Sequence, residues 1–179
     1  AKVGAKEAEI FRAQMMLLDD PELIPPVREL IKNEKISAAA AVVQVIRKHE
    51  SIFTGIKDEY IRARIADLHD IGAQIIRLLN GGQRPRPHFE QPVIIFAHDL
   101  SPSETALFDP AMILAFVTAA GSRTSHTSIM ARSLGIPAVA GAGEEMLARV
   151  KTGDLVIVDG NEGVVILRPS LEILASYRE

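Results

Sequence analysis

The spacing of apolar residues changes once along the 179-residue chain, and that change constrains its fold more than any other feature. From Lys6 to about Asn80 apolar positions recur with helical period, whereas beyond Val93 they gather in short runs of strand length. Between them, Gln83-Arg84-Pro85-Arg86-Pro87-His88 interrupts both patterns. Its two prolines fix their own φ and push the residues before them out of helix, which favours an extended, semi-rigid connector. The expected organisation is a two-part α+β chain: a helical subdomain over 1–82, a linker over 83–90 and an α/β domain over 91–179.

In the first half four helices are expected. Phe11, Met15 and Leu18 recur at helical spacing before Asp19-Asp20-Pro21, where aspartate and proline end one helix and begin the next. Ser37 suits the cap of a helix from Ala38 to about His49. Lys57-Asp58 opens a long helix in which Ile61, Ile65, Leu68, Ile71 and Ile75 share a face, and Asn80-Gly81-Gly82 stops it. Short turns make successive helices pack as neighbours, so this half reads as a small antiparallel bundle.

In the second half Val93 to Ala97, Met112 to Thr118, Ala138 to Ala140, Leu155 to Val158 and Val164 to Leu167 read as strands. Asp159-Gly160-Asn161-Glu162-Gly163 suits a hairpin turn with positive backbone dihedrals. The segment Gly121-Ser122-Arg123-Thr124-Ser125-His126-Thr127-Ser128 sets a histidine among hydroxyl residues, after one strand and ahead of a short helix from Ile129 to Leu134, closed by Gly135. Near a helix N-terminus, unpaired N–H groups and the helix dipole favour an anion. A histidine of ordinary pKa, about 6.5, is largely neutral at cellular pH and keeps one nitrogen lone pair for phosphoryl transfer. The plain alternative is a structural histidine whose ring bonds to Thr124 or Ser128.

Composition narrows the function classes. At 47% hydrophobic residues a real core is affordable in size, and the absence of cysteine removes disulfides and thiolate chemistry. Residues Ala1 to Lys6 lack a hydrophobic signal core and no apolar run approaches the roughly 20 residues of a spanning helix, so a cytoplasmic location and no membrane role are expected. A net charge of −3 with 4% aromatics gives no footing for nucleic acid. His49, His69, His88 and His98 are dispersed without ligand spacing, so no metal site is expected. Ser125 beside His126 cannot form a hydrolytic triad, because adjacent residues do not aim a hydroxyl at the imidazole.

The stretch from Gly121 to Arg132 resembles the phosphohistidine signature of enzyme I, the phosphoenolpyruvate-protein phosphotransferase family of the bacterial sugar phosphotransferase system. The resemblance extends to Asp99-Leu100-Ser101-Pro102-Ser103-Glu104-Thr105, to Ser133 through Val139, and to Asp58-Glu59-Tyr60, Arg64 and Asp67 through Gly72. It implies a swivelling α/β phosphohistidine domain, a helical subdomain that docks the small carrier HPr, and a separate barrel that binds phosphoenolpyruvate and Mg2+. No such barrel is legible here, so the chain reads as a fragment truncated at both ends, itself without cofactor and monomeric, from a parent that dimerises through the barrel. Ser122 stands where the signature usually has glycine or alanine, and His69 where some relatives carry arginine.

The resemblance implies that His126 is phosphorylated and that Thr105 orients its imidazole through a hydroxyl hydrogen bond, although Ser103-Glu104-Thr105 suits an ordinary helix cap equally well. Arg123 would contact phosphate, or else is solvated surface. Met16, Leu17, Leu23, Phe53, Tyr60, Ile61 and Arg64 would form the carrier face, with Asp20 and Glu22 meeting a basic patch; an apolar stripe serves a bundle core just as well. Two rival readings are the corresponding part of a dihydroxyacetone-kinase or nitrogen-related phosphotransfer protein, against which the unbroken Arg-Thr-Ser-His-Thr-Ser string argues, and a noncatalytic carrier-binding module.

Overall fold

The computed structural model describes residues 5–53, 58–82, 85–122 and 125–177, without the side chains of 5–7, 59 and 60. The chain divides into two compact units at Pro85/Arg86. No described helix is long and apolar enough to cross a membrane.

The helical unit holds α1 (Ala5–Leu18), α2 (Ile24–Glu34), α3 (Ala38–Phe53) and α4 (Glu59–Leu79). Each boundary has a local cause. Asp20 accepts from the Glu22 N–H at 2.9 Å and so folds the turn between α1 and α2, while Ser37 caps α3 through the Ala40 N–H. Asp58 accepts from the Ile61 N–H at the start of α4. Gly81, at φ +70°, follows its last turn. Helix α3 packs between α2 and α4. Val27, Ala41, Val42, Val45, Ile46, Leu68 and Ile71 make the core, with Ile75 packed against it.

On α1 the inward stripe is not the one its apolar residues suggest. Gln14 and Leu17, three apart, face in, while Met15 and Leu18 of the Phe11-Met15-Leu18 series are exposed. Gln14 is buried because its amide donates to the buried carboxylates of Asp67 and Asp70 on α4, at 3.4 and 3.1 Å.

The α/β unit carries two sheets. Strands β1 (Val93–Ala97), β2 (Ile113–Thr118) and β3 (Ala138–Ala140) form a parallel sheet in that order; β4 (Val156–Asp159) and β5 (Val164–Leu167) form an antiparallel hairpin. Short helices α5 (Pro102–Thr105), α6 (His126–Leu134), α7 (Glu144–Arg149) and α8 (Leu171–Ser176) connect or follow them. Parallel neighbours need crossovers, and α6 is the crossover from β2 to β3. Its buried Ala131 joins Leu100, Ile113 and Phe116 in one core, flanked by Phe89 and Phe108. Arg168 grips Asp154 with two guanidinium bonds of 3.0 and 2.8 Å and donates to the Arg149 carbonyl, tying β5 to the end of α7. The Arg168 hydrogen bond holds the Asp154 carboxyl below the usual carboxylate range.

Three sequence expectations shift. Met112 lies in a 3-10 turn capped by Asp109, so β2 starts at Ile113. Strand β4 begins one residue later than read. In the hairpin turn only Gly163 has positive φ; Asp159 shapes the rest by accepting from the N–H groups of Asn161 and Glu162.

Helix packing in the first unit gives a direct test. A Cβ on Gly72 of α4 would fall 2.0 Å from Ile46 Cδ1 on α3. Gly72→Ala is expected to cost about 1–3 kcal/mol in urea unfolding. Ile46→Val, which deletes that methyl, should recover part of the loss when the two are combined. Purely additive costs would show that the close approach is not the cause.

Candidate active site

The site is assembled where the three parallel strands end. Backbone pairing continues past the strands: the N–H of Ala119 reaches Ala97 O at 3.0 Å and that of Ala120 reaches His98 O at 2.8 Å. From the other side, Gly141, Ala142 and Gly143 donate to Ala120, Thr118 and Ala119 at 3.2, 2.9 and 3.1 Å. The loops after β1, β2 and β3 are thereby fixed to one another at the carboxyl ends of a parallel sheet, the usual place for a ligand in such folds.

The loop after β2 then turns into α6. Ser125 is its N-cap and accepts from the Ser128 N–H, while Ser128 Oγ donates to Ser122 O at 2.8 Å. His126, partly buried, is the first helical residue. Sequence spacing started this helix at Ile129 because a run of hydroxyl residues reads as loop; those hydroxyls are what satisfies the helix end. The histidine therefore stands at the positive dipole end of a nine-residue helix, an environment suited to a negatively charged group.

The expected orienting contact is not made. Thr105 is buried, and its hydroxyl lies 3.1 and 3.0 Å from the Ser101 and Pro102 carbonyls and 2.7 Å from Met130 Sδ. Among the described residues it has no hydrogen bond to His126. A reciprocal capping box between Ser101 and Glu104 starts α5, and Thr105, at its end, turns back onto it and packs on α6. Arg123 and Thr124 lie outside the described residues. Ser122 contributes its carbonyl, which any residue could supply; it accepts from the Ser125 N–H at 3.0 Å. No group of His, Cys, Asp or Glu able to hold a metal occurs among the described residues.

The carrier-facing residues separate on the helical unit. Met16 is 72% exposed, and Phe53, Ile61 and Arg64 are partly exposed. Leu17 and Leu23, at 4% and 3%, belong to the bundle core and offer a partner no surface, which corrects their place on a docking face. Leu17 is inward because α1 is turned by Gln14, and Leu23 because it closes the turn into α2, its N–H donating to Asp20 O. The Tyr60 side chain lies outside the described residues. Met15 and Ile52, 65% and 61% exposed, add apolar surface that spacing alone did not single out. Clustered exposed methionine is costly to leave in water and adapts to a partner's shape. His69 faces Glu50 of α3, 3.7 Å away at the surface.

Gly121 holds the loop before α6 in a conformation other residues resist. Its φ is +97°, and an added Cβ would meet Ser125 Cβ and Oγ at 3.3 Å. Gly121→Ala is expected to destabilise the protein by about 1–3 kcal/mol. Amide exchange should accelerate first at 125–128, where the cap is displaced; uniform acceleration over the unit would contradict a local role.

Comparisons with known proteins agree with this architecture. The model of the PEP-utilising enzyme N-terminal family matches residues 1–64, and that of the PEP-utilising enzyme mobile domain matches 89–163. The chain is 40% identical over 179 residues to the phosphoenolpyruvate-protein phosphotransferase of Staphylococcus carnosus (strain TM300), covering 99% of this chain and 31% of that protein. It thus spans about a third of the length of the curated relatives it matches. The solution structure of Enzyme I (nEIt) superposes with a TM-score of 0.68 at 46% identity, over 97% of this chain and 70% of that one. The N-terminal domain of Enzyme 1 - Nitrogen superposes at 0.54 with 27% identity, over 99% and 72%. A relative 46% identical and spanned over most of its length, with both family models falling on successive parts of the sequence, shows that the chain belongs to the Enzyme I family of phosphoenolpyruvate-protein phosphotransferases.

Proposed function

We propose that this chain is the relay portion of a phosphoenolpyruvate-protein phosphotransferase of sugar uptake, with His126 as the phosphoryl carrier and HPr as the acceptor docked on the helical unit. The observation that supports it most is the position of His126 at the N-terminus of α6, on a loop fixed by backbone bonds to the ends of β1 and β3. In the first step a neutral imidazole nitrogen attacks the phosphorus of phosphoenolpyruvate, the P–O bond breaks and enolpyruvate leaves. In the second, a histidine nitrogen of HPr attacks, and the P–N bond to His126 breaks as the new one forms. Both pass through a loose transition state in which charge spreads over three oxygens, so positioning and nearby N–H dipoles do most of the work.

Met15, Met16, Ile52, Phe53, Ile61 and Arg64 form the carrier face in this reading, and the segment 83–90 is the hinge on which the α/β unit swivels. In this reading phosphoenolpyruvate and Mg2+ are handled by the separate barrel that the family resemblance implies. The cytoplasm is the place of such a reaction. The higher identity to Enzyme I than to the nitrogen-related form, 46% against 27%, favours the sugar branch.

Incubation with phosphorylated HPr, followed by mass spectrometry under conditions that preserve acid-labile phosphate, should place one phosphoryl group on His126 and none on His126→Ala. Carrier binding by the folded wild-type protein without any transfer would instead support the noncatalytic docking module.

A further inference from the structure

We infer that Thr127, the neighbour of the phosphoryl-carrying histidine, is a positioning residue that sets the rotation of α6 and through it the aim of His126; this rests on the function proposed above. The inner stripe of α6 is Thr127, Met130, Ala131 and the half-buried Leu134, spaced three and four apart as one helix face requires. His126 lies 100° from Thr127 around the axis, on the shoulder of that stripe, so any rotation of the helix redirects the imidazole by the same angle. Ala131 resists rotation through packing, which yields gradually, and Met130 adds a contact in which its flexible thioether sulfur, a weak acceptor, takes the Thr105 hydroxyl at 2.7 Å. Thr127 is 2% exposed, and its hydroxyl donates to the Leu100 carbonyl at 3.0 Å.

That bond differs from the serine bonds around His126, and its acceptor is a backbone carbonyl rather than a flexible thioether. The Ser125–Ser128 cap and the Ser128 bond to Ser122 O join the loop to its own helix and would turn with it. Leu100 belongs to the corner between β1 and α5, whose own N–H is held by Asp99 Oδ1 at 2.8 Å. Thr127 therefore ties the first turn of the phosphohistidine helix to a separate, fixed element. A hydroxyl bond is short and directional, so a buried threonine here discriminates between helix rotations that apolar packing would tolerate.

The test compares wild type with Thr127→Val, which keeps the shape and loses the donor, and Thr127→Ser, which keeps the donor. Rapid-quench transfer from phosphorylated HPr should be about 10- to 100-fold slower at saturating carrier for the valine protein. Half-saturation should be unchanged, and serine should lie within about threefold of wild type. Equal rates for valine and wild type, or serine as slow as valine, would overturn the inference. Residual dipolar couplings of the His126 ring, measured without any donor, give a second reading: one fixed orientation in wild type and serine, averaging or reorientation in valine. Unchanged couplings would overturn it even if the wild type accepted no phosphate, an outcome that counts separately against the proposed function. If the valine protein fails to fold, Thr127→Ala, which removes the donor without adding volume, takes its place in both measurements.

Discussion

The continuation of backbone pairing beyond the ends of β1, β2 and β3 is the constraint on which the site depends. Strands of five, six and three residues are short, and a histidine on a free loop after the second would sample many positions. Five further N–H to carbonyl bonds convert the three loop starts into a shelf, with Gly121 and Gly141 permitting its closeness. An alanine Cβ at Gly141 would stand 3.1 Å from the Gly121 carbonyl, and both glycines have positive φ. Only then does the Ser125 cap place a helix N-terminus at a fixed point. In the function proposed for it, the site would stabilise a phosphoryl group by dipoles rather than by acid-base groups, and so would need that rigidity more than unusual side chains.

The helical unit solves a different problem. Its core is supplied chiefly by α2, α3 and α4, and α1 is set against α4 by the amide of Gln14 spanning two carboxylates. One polar contact thereby decides which apolar residues of α1 are spent on the core and which remain outside. Leu17 goes in; Met15, Met16 and Leu18 stay out. Retaining such a surface on a small bundle is a standing cost in solubility, which a docking partner would relieve.

Much of this was legible in the residues. Val93–Ala97, Ala138–Ala140 and Val164–Leu167 were readable as strands because compact apolar runs end at proline, glycine or charge, and the four helices because Ser37, Asp58 and Gly81 punctuate them. What escaped depended on residues distant in sequence. The orientation of α1 is set 53 and 56 residues away, so no period within α1 could assign Leu17 to the core. Thr105 was expected to face His126, but its hydroxyl is taken up by Met130 Sδ on the buried face of α6 and by the carbonyls of its own helix turn, partners that no local pattern in the sequence displays. The start of α6 was hidden because capping residues and loop residues are the same types.

The central claim is a division of labour, with carrier recognition on the helical unit and phosphoryl chemistry on the α/β unit. It is tested most directly by titrating isotope-labelled protein with unphosphorylated HPr and following amide and methyl shifts. The account predicts saturable changes at Met15, Met16, Ile52 and Phe53, with no direct contact at Leu17 or Leu23, and undiminished affinity in His126→Ala. Perturbation confined to the strand ends around His126, with α1 and α3 silent, would contradict it.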